Sequence, residues 1–194
     1  ITNCRIEETY IKMTSTIDRI SEILHGNRRY AVLLLVIFFT VGIAGMANPA
    51  TSGLFLGLFP FALILSFTVL VVFSYDVLNV KSVVTVLAVM ILGFCVEAAG
   101  VSTGKIFGHY RYGETLGLKL LDTPLIIGIN WAMMVFATYS ISDKLKVNPL
   151  VRILIASLLM VFYDFFLEQV SGRLDMWHWE SASVPVQNYL AWFI

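Results

Sequence analysis

The chain has 194 residues, 58% hydrophobic and 13% charged, with a mean hydropathy of +0.83 and a formal net charge of zero at pH 7. The charged share is about half that of a soluble domain, which excludes a water-soluble globular fold and points to an integral membrane protein. The neutral balance argues against a nucleic-acid partner, and two distant cysteines, Cys4 and Cys95, give no disulfide framework.

The expected architecture is an all-α polytopic transmembrane helix bundle: five spans, the start of a sixth, and a short amphipathic N-terminal helix. Residues 1–29 form an N-terminal extension and interfacial segment. Within it Met13 is a natural start, and Ile17, Ile20 and Leu24 share one face of a short helix resting on the membrane surface. Residues 30–194 form a single transmembrane helical domain. Its apolar runs cover 30–46, 54–73, 83–99, 124–139 and 150–167. Several fall short of the roughly 20 residues needed to cross hydrocarbon, which implies tilt or local thinning. Residues 188–194 read as a sixth span cut short, so a C-terminal part is expected beyond them.

Basic residues set the orientation. With the N-terminus cytoplasmic, that side holds Arg5, Lys12, Arg19, Arg28, Arg29, Lys81, Lys144, Lys146 and Arg152, and the other holds Lys105, Arg111, Lys119 and Arg173. Both long connectors, 100–123 and 171–187, then lie on the non-cytoplasmic side.

Carboxylates inside spans are costly and mark function by default. Glu97 closes the third run and Asp122 opens the fourth. Asp164 and Glu168 are four apart in the fifth, on one helix face. Asp164 lies about 21 Å along its run, so all four acids are expected in one layer on the side of the connectors. Their bland role is to hydrogen-bond neighbouring helices or pair with Lys105, Arg111 or Arg173. Their chemical role is general acid catalysis, because a carboxyl deprived of water keeps its proton more readily. Tyr110, Tyr112, Trp131, Tyr163, Trp177, Trp179, Tyr189 and Trp192 cluster on the same side. They form either an interfacial aromatic belt or a lining for an apolar ligand or developing cation. His109 and His178 are more often loop-packing residues than catalysts.

Other chemistries find no support. Three histidines cannot furnish a di-iron oxygenase, and no Cys/His spacing suggests zinc. "GVSTGKI" at Gly100 is one residue short of a phosphate loop and lacks its hydroxyl. "DFFLE" at Asp164 could hold Mg²⁺ and a diphosphate, yet no second acid-rich motif accompanies it. The lysines sit at span ends or in loops, unlike that of a retinal pigment.

Three segments in order, "FGHYRYGETLGLKLLDTPLIIGINWAMM" (107–134), "YDFFLEQVSGRLDMWHWE" (163–180) and "VPVQNYLAWF" (184–193), resemble the membrane-integral carotenoid biosynthesis family of bacteria and archaea, of the bisanhydrobacterioruberin hydratase and carotenoid 1',2'-hydratase type. The likeness covers about residues 93–194. It implies a carbon–oxygen lyase that adds water across the terminal C1=C2 bond of an acyclic carotenoid end, with no cofactor and no metal. Asp164 or Glu97 would donate the proton, and Glu168 and Asp122 would orient water or stabilise charge. His109, Tyr110 and Tyr112 would line the pocket, with Trp131, Trp177 and Trp179 flanking the cation or polyene. The implied partners are an acyclic or monocyclic carotenoid, the lipid bilayer, and further copies of the chain or other pathway enzymes. An end-group cyclase and a non-catalytic carotenoid-binding subunit remain the alternatives. The connector 107–124 reads as a lid whose acids come from the spans beneath.

Overall fold

A computed structural model describes residues 26–74 and 80–193. The expected interfacial helix at 16–24 lies outside these residues. Among them are seven helices: α1 (Arg28–Ala47), α2 (Ser52–Gly57), α3 (Phe59–Ser74), α4 (Val80–Thr103), α5 (Ile126–Ser142), α6 (Pro149–Ser171) and α7 (Val186–Phe193). Helices α1, α4 and α6 are long and apolar enough to cross a membrane. Helices α3 and α5 are equally apolar but shorter, rising about 25 Å against roughly 30 Å of hydrocarbon.

The run expected as one helix over 54–73 is two. Pro60 cannot donate to a continuing ladder, and its ring would clash with the carbonyl four residues back. The chain therefore ends α2 at Gly57, turns at Leu58 and restarts at Phe59.

Helix α5 is the hub. It packs against α3, α4 and α6, and α7 packs against α6. Two glycines allow this closeness. A methyl group on Gly93 of α4 would stand 2.5 Å from Trp131 Cβ on α5, and one on Gly128 of α5 would stand 2.7 Å from the Met90 carbonyl oxygen. Small residues at helix contacts are how membrane bundles gain packing energy, since lipid supplies no hydrophobic drive between helices. The outer faces remain apolar and exposed: α1 buries none of its residues, and Ile91, Leu92, Ile153, Leu158 and Phe162 face outward. Patches of this size suit hydrocarbon rather than water.

The fold is mostly helical, as expected, and short strands in the connectors add to it. The connector between α4 and α5 holds β1 (Tyr110–Tyr112), β2 (Lys119–Leu120) and β3 (Thr123–Pro124); the connector between α6 and α7 holds β4 (Trp177–Trp179). Strands β2 and β3 form a hairpin pairing Leu120 with Thr123. Its two central residues, Leu121 and Asp122, have φ of 53° and 57°, the left-handed pair that a tight hairpin turn demands. Strands β1 and β4 pair antiparallel, Tyr110 with Trp179, Arg111 with His178 and Tyr112 with Trp177. The core sits where these connectors meet the helix ends: Phe107, Tyr110, Tyr112, Leu116, Ile126, Ile127 and Met176.

Candidate active site

Side chains alternate across a strand, so the β1–β4 ribbon has two unlike faces. Tyr110, Tyr112, Trp177 and Trp179 share one face, with Arg111 and His178 on the other. The aromatic face lies over α4 and α6 and donates hydrogen bonds to their acids. Tyr110 Oη reaches Glu97 Oε2 at 2.5 Å and Tyr112 Oη the same oxygen at 2.9 Å. Trp131 Nε1 on α5 donates to Glu97 Oε1 at 3.1 Å. Glu168 Oε2 accepts from Trp179 Nε1 at 2.8 Å, Trp177 Nε1 at 3.1 Å and Ser171 Oγ at 3.4 Å. Burial first, and the charge of Glu97 second, push both phenols above the usual tyrosine range. They therefore stay protonated and remain donors.

Asp164, 2% exposed, is served differently. Asn188 on α7 points Nδ2 at Asp164 Oδ2, 2.6 Å away, and at Glu168 Oε1, 3.4 Å away. An amide nitrogen has two hydrogens, so one side chain ties the two acids of α6 together. Asp164 Oδ1 receives no donor among the described residues. Glu97, Asp164, Glu168, Tyr110, Tyr112, Trp177, Trp179, Asn130 and Asn188 line one cavity of about 30 Å³, together with the apolar side chains of Phe107, Ile127, Leu167 and Trp192. That volume accommodates a single water. Trp192 stacks on Trp131, with ring centroids 4.6 Å apart and planes 5° from parallel, and this joins α7 to α5. Among the described residues no three His, Cys, Asp or Glu side chains are grouped to hold a metal ion.

Two expected site residues are elsewhere. Asp122 is exposed at the tip of the β2–β3 turn, so three acids converge rather than four. His109 is exposed, lining an open cleft with Lys105 and Glu180. Asp175 accepts from the Glu114 backbone N–H at 2.9 Å and contacts His178 Nε2 at 2.7 Å. Asn188 and Asn130 were missed by sequence reasoning. Their signal was an amide within an apolar segment, next to Gln187 in "VQNYLAWF" and alone in "GINWAMM".

The family model described as "Carotenoid biosynthesis protein" matches residues 58–194. This chain belongs to that family. The matched region includes every residue of the cavity. Over 128 residues this family member is 26% identical to a bisanhydrobacterioruberin hydratase of Haloarcula japonica, a match covering 62% of the chain and 44% of that protein. The chain thus spans less than half the length of that curated relative. No solved structure matches it.

Proposed function

We propose that this protein is a carotenoid hydratase, a carbon–oxygen lyase that adds water to the terminal C1=C2 bond of an acyclic carotenoid end. The observation that carries the reading is the water-sized cavity in which three carboxyl groups meet, one with an oxygen not taken by any described donor. Asp164 gives its proton to C2, and the π electrons of the alkene form the new C–H bond. A tertiary cation is left at C1. Water attacks C1 and returns its extra proton to the Asp164 carboxylate, so the net change is one added water. Glu168, held by two indoles, lies beside the developing positive charge. The faces of Trp177, Trp179 and Tyr110 supply further stabilisation. A cavity of this volume holds a water but not the end of a polyene, so substrate binding requires the aromatic wall to shift.

The bilayer setting fits a long polyene lying among the helices with its end in the polar layer. In this proposal α3 and α5 also cross, giving five spans with α7 starting a sixth, and the N-terminus is cytoplasmic. The proposed neighbours of the exposed apolar faces are further copies of the chain and other pathway enzymes.

Coexpression in a lycopene-producing host tests the reading. A hydratase yields a more polar carotenoid heavier by one water. An end-group cyclase yields an isomer of unchanged mass, and a carotenoid-binding subunit changes nothing. An unaltered profile with lycopene, γ-carotene and bacterioruberin precursors all supplied sinks the enzymatic reading.

A further inference from the structure

The hydratase reading leaves one question open, namely what decides that water, rather than the substrate's own double bonds, captures the cation. Most polar groups of the cavity are already committed. Both phenols and both indoles of the ribbon donate to Glu97 or Glu168, and Asn188 donates to Asp164 and Glu168. Asn130 is the exception. It lies on α5 beside Trp131, lines the cavity and makes no side-chain hydrogen bond among the described residues. Its amide offers a donor pair and an acceptor. A water in a site of about 30 Å³ needs two to four polar partners to be held. Asn130 and the acids of α6 supply that number across the cavity.

We infer that Asn130 is the positioning residue for the nucleophilic water and thereby sets hydration over cyclisation. This rests on the hydratase reading and adds the residue that determines the product. It acts after protonation, since Asp164 is held by Asn188 and not by Asn130. With water no longer held, the C1 cation is captured by the nearest internal double bond. A carbon–carbon bond forms, the charge moves into the chain, and a proton is lost to the carboxylate. The product is then an isomer of the substrate.

The experiment compares wild type with Asn130→Leu, Asn130→Ala and Asn130→Ser in a lycopene-producing host, at matched protein levels in the membrane. The readout is the mass-resolved ratio of hydrated to isomerised carotenoid. Loss of a water-holding hydrogen bond worth about 1.4 kcal/mol corresponds to about a tenfold fall in that ratio for the leucine and alanine variants. The serine variant, which keeps a donor and an acceptor, retains most of it. An unchanged ratio in both apolar variants overturns the inference. So does loss of all substrate consumption in both, because Asn130 would then act before the cation forms. A wild-type protein that makes no hydrated product is a different failure, that of the hydratase reading itself.

Discussion

Three acids meet in one cavity, but their hydrogen bonding sets them apart. Among the described residues Glu97 accepts from three side chains and Glu168 from four, whereas Asp164 accepts from Asn188 alone. An acid must have an oxygen free to hold and pass a proton, which favours Asp164 over Glu97 as the donor. Asp164→Asn is expected to cut hydration by about 10²-fold or more, the usual worth of a general acid, while the protein still inserts and folds. Product per unit of membrane protein checks this, and near-normal turnover refutes the assignment. Glu97 has a different dependence, on the phenols above it. Tyr110→Phe and Tyr112→Phe each remove one donor from a buried carboxyl, with an expected cost of about 1–3 kcal/mol in unfolding from detergent. The two losses should not add, because both donors serve one oxygen.

At the scale of elements, the site depends on two contacts between segments far apart in sequence. The first is the close approach of α4 and α5 at Gly93, where Trp131 must fit before it can donate to Glu97. Gly93→Ala forces the helices apart or displaces the indole. The expected cost is about 1–3 kcal/mol of overpacking, seen as a lower unfolding midpoint together with reduced turnover. The second is the ribbon, whose far end is clasped by Asp175. The Glu114 N–H, and then His178, hold the Asp175 carboxyl below its ordinary range. A carboxyl lowered in the folded state adds stability above its unfolded pKa and loses it as pH falls through the folded value. Acidification should therefore loosen the clasp, and Asp175→Asn should make the ribbon end insensitive to acid. Hydrogen exchange at the Glu114 amide measured against pH distinguishes the two proteins.

For the whole molecule, the proposed topology makes a directional prediction. Single cysteines placed at Glu114 and Glu180, in a background free of Cys4 and Cys95, should react with an impermeant thiol reagent from outside. One at Lys146, in the turn between α5 and α6, should react only after the membrane is opened. Labelling of all three from one side contradicts the topology. Much of the helical layout was legible in the sequence. Hydropathy is a local property, so the apolar runs located the helices, and the four-residue spacing of Asp164 and Glu168 placed both on one face whatever lay opposite. The break at Pro60 was also local, hidden because the residues around it remain apolar. What tertiary structure alone decided is pairing. Nothing within "YRY" or "WHW" says that they lie side by side, yet that register aims two phenols at Glu97 and two indoles at Glu168. Asp122 stood close to the apolar run in sequence, but the hairpin turn needed left-handed backbone there and carried it away from the cavity. Composition thus determined which segments avoid water, because that cost is paid residue by residue. The hydrogen-bond partners of the acids depended on contacts between distant segments, which only the folded chain brings into reach.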